Sequence, residues 1–116
     1  MKLILIGYSG HGCMLVEAAL ESGNIIAGYF EKQEKVNNPY NLKYLGNEND
    51  PGILIKYINK GFMFILGVGD NKSRSELFKI INSSGGIVKT IIHPKSIISN
   101  DVKIGKGVFV SKNSVI

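Results

Sequence analysis

Cysteine is nearly absent: the 116-residue chain holds one, Cys13. A single thiol excludes an internal disulfide and any zinc site built on cysteines, and no metal is expected. Long apolar runs are missing too, and none approaches the ~20 residues needed to cross a bilayer. The opening Met1-Lys2-Leu3-Ile4-Leu5-Ile6 has one positive charge and an apolar stretch. That stretch is shorter than a signal-peptide core, and glycines with a histidine follow in place of a small-residue cleavage site. A cytoplasmic protein with no membrane partner is expected. Lys and Arg never form a run longer than two. Their dispersal makes the net charge of +5 suit an anionic small molecule better than nucleic acid.

What remains is an ordinary globular composition, 44% hydrophobic, sized for one domain with a modest core. Leu3 to Ile6 is a continuous apolar run, the pattern of a strand buried on both faces. Residues 10–21 place Met14, Leu15, Ala18 and Ala19 on one helical stripe that stops at Ser22-Gly23. Ile25 to Phe30 reads as a second strand, parallel to the first through a right-handed crossover. Residues 31–52 are polar loop with a short strand at Lys43 to Gly46, and Ile53 to Asn59 reads as a short helix. Phe62 to Val68 is a third strong strand. Asp70 or Asn71 caps a helix through Asn82 whose core face is Leu77, Phe78 and Ile81. A further strand is expected from Ile87 to Ile92, ending at His93-Pro94. Strands alternating with helices indicate an α/β layer fold with a parallel sheet.

After Pro94 the pattern changes. Ile98, Ile104, Val110 and Ile116 are spaced by six, and Val102, Val108 and Ser114 follow the first three at four residues on. Asn100, Lys106 and Lys112 interrupt the apolar face at the same interval. A chain that turns a corner every six residues explains this, as in the hexapeptide repeat of a left-handed parallel β-helix with coils of ~18 residues. The bland alternative is one amphipathic hairpin with coincidental spacing. Residues 98–115 supply a single coil, whereas a solenoid normally needs about three. The expectation is therefore a shortened chain, with residues 1–94 as the α/β domain and 95–116 as the first coil.

The densest chemistry follows the first strand: Gly7-x-x-Gly10-x-Gly12, which is not the Gly-x-Gly-x-x-Gly dinucleotide fingerprint. At the carboxyl edge of the sheet a helix presents unpaired N–H groups, and absent side chains let a phosphate approach. Ser9 adds a hydroxyl. The alternative is a turn kept glycine-rich only for close packing. Glu31-Lys32 follows the second strand, where an acid holds a ribose in nucleotide-binding folds, unless Glu31 is only a solvated charge. Gly69-Asp70-Asn71 follows the third strand, with Arg74 a turn further on; Asp70-Asn71 also suits a plain N-cap. His11 either donates to a phosphate or orients the loop. Cys13 reads as a small apolar residue, without an acid–base partner to make it a nucleophile. His93 reads as fixing the junction of the two parts.

The segments "LIGYSGHG", "GVGDNKSR" and "IIHPKSIIS", together with the hexads, resemble in order the bacterial sugar O-acyltransferases of the sialic acid O-acetyltransferase type. These include N-acetyltransferases of nucleotide-linked 4-amino sugars. The resemblance implies a small Rossmann-like domain that holds a nucleotide sugar, of UDP type. It also implies a left-handed β-helix that trimerises, binds acetyl-CoA as co-substrate and supplies a general-base histidine. Carried onto this chain, Ser9, Gly10, His11 and Gly12 match the diphosphate-binding segment. Glu31 and Lys32 fall at an acidic pair of which only the first acid is kept. Gly69, Asp70 and Asn71 align with a Gly-Asn-Asn-like segment, one acid replacing an amide. Cys13 stands where members often have lysine. The general base belongs to a later coil, so no residue of this chain is expected to be catalytic, and the chain alone is expected to bind substrate without acetyl transfer.

Two readings of other classes compete. A dinucleotide-dependent oxidoreductase module would also use β-α-β and Glu31, and a non-enzymatic nucleotide-sensing or assembly domain would use the coil to dock on neighbours.

Overall fold

The computed structural model describes residues 2–99, 104–105 and 107–110. The hexad positions Asn100, Val102, Lys106, Lys112, Ser114 and Ile116 lie outside the described residues. In chain order the elements are β1 (Lys2–Ile6), α1 (Gly10–Glu21), β2 (Ile25–Phe30), β3 (Tyr44–Gly46), α2 (Pro51–Asn59), β4 (Met63–Leu66), α3 (Asn71–Ser83), β5 (Ile91–Ile92) and β6 (Phe109–Val110).

The first four strands form one parallel sheet in the order β3-β2-β1-β4. β1 is central, and its apolar run serves both faces by simple alternation. Leu3 and Leu5 pack with Leu15, Val16, Ala18 and Ala19 of α1, while Ile4 and Ile6 pack with Leu54 of α2 and Ile81 of α3. The four apolar side chains of β1 are fully buried, each contributing roughly 1.5–3 kcal/mol against exposure. The result is a three-layer, Rossmann-like arrangement.

Chain order sets where a ligand would sit. From β1 the chain moves outward to β2 and β3, then returns through α2 to place β4 on the other side of β1. The order reverses between β1 and β4. The crevice beyond the carboxyl ends of the strands at such a reversal is where open parallel sheets take ligands.

Three expectations need correction. Met14 is 55% exposed, and the buried face of α1 runs through Gly12, Leu15, Val16, Ala18 and Ala19. The third strand stops at Leu66 rather than Val68, because Gly67 turns against the glycine loop. Residues 87–92 are not one strand. Ile87 O accepts from the Phe64 amide and Phe64 O accepts from the Lys89 amide, giving one parallel bridge at Val88. The chain then leaves the sheet, because the Thr90 hydroxyl donates to Gly105 O and accepts from the Val108 amide. β5 pairs instead with β6 in parallel, Ile91 with Phe109 and Ile92 with Val110.

His93 fastens this second ladder to α1. Its amide donates to Val110 O, its Nδ1 accepts from the Lys95 amide, and its buried Nε2 lies 2.6 Å from Glu21 Oε2. That last contact is an ion-pair distance outside hydrogen-bond geometry. Since Nδ1 accepts, a neutral ring carries its proton on Nε2, facing the carboxylate. The same tautomer argues against a metal among His93, Glu17 and Glu21, because the nitrogen facing the two acids has no free lone pair.

Candidate functional site

Three glycines build the wall between β1, α1 and β4 by contact rather than by flexibility. A Cβ on Gly12 would stand 2.3 Å from Gly7 O, and one on Gly67 would stand 2.1 Å from the same oxygen. Gly7 itself has φ +91, in the left-handed region, with Val68 against it. Gly10 and Gly69 are different: among the described residues nothing lies within 4 Å of a Cβ at either. The close-packing explanation therefore holds for Gly12, while Gly10 and Gly69 leave open space at the sheet edge.

The start of α1 lacks a side-chain cap, and the nearest carboxylate, Glu31, is taken up by the amide of Tyr8 just before it. Ser9 is its N-cap residue, yet the Ser9 side chain makes no capping hydrogen bond and the first turn holds no acid. In α2 and α3 the caps are aspartates: Asp50 accepts from the Gly52 amide and Asp70 from the Ser73 amide. The amides of α1's first turn thus keep their positive end toward solvent.

Beyond the carboxyl ends of the strands lies a cleft of ≈410 Å³, lined by Gly7, Ser9, Glu31, Lys32, Glu48 and Gly69 among others. That volume falls within the roughly 300–1,000 Å³ of small-molecule sites. Glu31 is fixed at its rim: the Tyr8 amide donates to Glu31 Oε2 at 2.6 Å, the Glu31 amide donates to Gly46 O, and the Tyr44 hydroxyl donates to Glu31 O. Lys32 is exposed beside it. Glu48, which follows β3, has a buried oxygen without a hydrogen-bond partner among the described residues. The loop after β2 is tied down by Tyr8, whose hydroxyl donates to Asn38 Oδ1 and accepts from the Tyr40 amide. Burial pushes the Tyr8 hydroxyl's pKa up.

A second, adjoining cleft of ≈270 Å³ opens between the sheet and β6, lined by His11, Arg74, Lys89 and Phe109 among others. His11 meets Phe109 edge-on, with ring centroids 5.8 Å apart. Arg74 donates to Val68 O and to Asn71 Oδ1.

The residues expected to form one pocket are therefore distributed. Ser9, Glu31, Lys32 and Gly69 share the larger cleft, and His11 and Arg74 share the smaller one. Asp70 takes the capping role: hydrogen bonds from the Ser73 hydroxyl and amide hold its carboxyl below the usual range. Asn71 holds Arg74, Gly12 is internal, and Gly10 lies at the open edge between the clefts. Sequence reasoning did not single out Glu48 or Lys89, which line the larger and the smaller cleft. Glu48 had a signal, since it follows the short strand expected at residues 43–46 and so stands at a carboxyl end. Lys89 had none.

Residues 2–81 match the PglD N-terminal domain family. Among solved structures, PerB from Caulobacter crescentus in complex with CoA and GDP-perosamine superposes with a TM-score of 0.87 at 23% identity. That match covers 100% of this chain and 54% of the other. The acetyltransferase domain of PglB from Neisseria gonorrhoeae FA1090 in complex with acetyl coenzyme A gives 0.84 at 24% identity, covering 98% of this chain and 54% of that one. Identities this low establish the fold, and the chain spans about half the length of these structures. No curated protein matches the chain significantly.

Proposed function

The chain belongs to the PglD N-terminal domain family, and we propose that it binds a nucleotide sugar as the substrate-holding part of an acetyl-CoA-dependent sugar acetyltransferase. The observation that carries this is the bare N-terminus of α1, with Ser9 uncapped, facing a cleft at the strand-order reversal. Unpaired amides there suit a phosphate group. Ser9, Gly10, His11 and Gly69 are assigned to the diphosphate side, with Gly12 holding the loop close to the sheet. Glu31 and Lys32 are assigned to the nucleoside side. Asp70 and Asn71 act by fixing the start of α3 and the position of Arg74.

The carrier nucleotide proposed is UDP; the Caulobacter crescentus structure holds GDP-perosamine, so GDP is the alternative. Residues 1–94 form the binding domain and 95–116 the first coil of a left-handed β-helix through which the protein trimerises. The parallel pairing of β5 with β6, eighteen residues apart in sequence, supports a coil of that length, and it carries the coil's ladder back to Ile91, on the domain side of the proposed boundary. Acetyl-CoA is the co-substrate, and the general base is assigned to no residue of this chain. A cytoplasmic location is proposed; among the described residues no helix is long and apolar enough to cross a membrane.

Thermal unfolding with UDP, GDP and NADH tests the reading. A ligand at a hundred times its Kd stabilises by about 2.7 kcal/mol. UDP or GDP is expected to raise the midpoint by several degrees and NADH to leave it unchanged. A shift with NADH alone would replace this reading with the dinucleotide one.

A further inference from the structure

The two clefts carry opposite charge. The larger holds three carboxylates, Glu31, Glu48 and Glu76, against Lys32. The smaller holds His11, Arg74 and Lys89 and, among the described residues lining it, no acid. They adjoin along two short stretches of chain: Ser9 lines the first and His11 the second, Ser73 the first and Arg74 the second. Arg74 spans the boundary, its Nη1 donating to the carbonyl of Val68, a residue of the larger cleft.

A ligand with hydroxyl and N–H donors at one end and phosphates further along would be sorted by this field. The larger cleft offers acceptors: Tyr8 engages only one oxygen of Glu31, and the Glu48 carboxylate belongs to the same wall. Such groups take the hydroxyls of a ribose and the N–H of a base, which leaves the phosphates to the Ser9–Gly10 edge between the clefts and to the cleft beyond it. The smaller cleft offers the reverse. Arg74 uses two groups of its guanidinium on Val68 and Asn71, leaving further N–H donors, and Lys89 forms no ion pair among the described residues.

Resting on the nucleotide-sugar reading above, we propose that Lys89 and Arg74 seat the sugar-side phosphate in the smaller cleft, with the nucleoside in the larger one and β6 as the outer wall. Lys89 stands on the connector that leaves the sheet for the second ladder, between the bridge at Val88 and the Thr90 hydroxyl. Gly107 and Phe109 line the same cavity. Seating the second phosphate there brings the sugar beside β6 and makes the β6 segment part of the substrate site. Lys89 is a binding and positioning residue in this arrangement, and no covalent step is assigned to it.

Calorimetric titration of the chain with uridine, UMP and UDP, and with the guanosine series, tests the arrangement. Lys89→Gln is expected to weaken the diphosphate about tenfold, the scale of one charge-assisted contact, and to leave nucleoside and monophosphate affinities unchanged. Lys89→Arg is expected to restore diphosphate binding, and raised salt to narrow the gap between the diphosphate and the nucleoside. A Lys89→Gln chain that keeps the wild-type ratio of diphosphate to monophosphate affinity overturns this inference alone. So does one that loses all three ligands equally. A wild-type chain that binds no member of either series overturns the nucleotide-sugar reading as well.

Discussion

The backbone amide of Tyr8 donates to Glu31 Oε2 across 2.6 Å, joining the loop after β1 to the end of β2. The acid expected to hold a ribose is therefore also the anchor of the glycine loop. The nucleotide-sugar reading assigns its second oxygen to the ligand.

Replacing Glu31 separates the two roles. Glu31→Gln keeps an acceptor for the Tyr8 amide and loses the charge, so the thermal midpoint is expected to stay close to wild type while nucleoside affinity falls severalfold. Glu31→Ala leaves that amide without its partner, and both are expected to fall, stability by about 1–3 kcal/mol. Urea unfolding and calorimetry on the two variants check this.

The glycines divide in the same way. Gly67→Ala drives a Cβ to 2.1 Å from Gly7 O and is expected to cost about 3 kcal/mol or more. Gly10→Ala meets nothing among the described residues within 4 Å and is expected to leave stability unchanged or slightly higher, while weakening nucleotide binding by crowding the bare end of α1. Equal destabilisation by both would show that the loop serves packing alone.

Much of the frame was legible because local chemistry and tertiary structure agree. The residue 10–21 helix, the Ile25 to Phe30 strand and the Asp70 cap appear as the pattern implies, since Gly7 and Ser22-Gly23 bound one helix and an aspartate starts another. The run Ile87 to Ile92 was misleading for a tertiary reason: its apolar pattern suits either ladder, and the Thr90 hydroxyl decides where the chain departs. Met14 has the helical spacing of a core residue but faces away from β1. The division of the site into two clefts was not legible, because spacing does not reveal which side of the β1–β4 crevice His11 and Arg74 line.

Tyr8 supplies a test of the loop after β2. Tyr8→Phe removes the acceptor of the Tyr40 amide and one of the two donors to Asn38 Oδ1, which keeps the Leu42 amide, and about 1–3 kcal/mol of stability is expected to go with it. Because burial raises this hydroxyl's pKa, its share of stability is complete below the ordinary value of ~10 and is lost as pH rises through the raised one. The wild type and Tyr8→Phe should therefore converge in strongly alkaline urea titrations.

Asp70 behaves oppositely. Its carboxyl is held below the ordinary range by Ser73, so its contribution is full above the unfolded pKa and is lost as pH falls through the lowered one. Asp70→Ala is expected to lower the thermal midpoint at pH 7, and the difference from wild type should shrink in acid.

His93 is expected to be a fastener. His93→Ala removes the contacts to Glu21 and the Lys95 amide and should cost about 2–3 kcal/mol with nucleotide affinity unchanged. A loss of affinity without a loss of stability would assign it a role in binding instead.

The most direct test of the central claim is an amide NMR titration of the chain with UDP and GDP. Saturable shifts are expected at Tyr8, Ser9, Gly10, Glu31 and Gly69, around the bare start of α1. Saturation at a distant surface, or no saturable change with either nucleotide at millimolar concentration, would contradict the account.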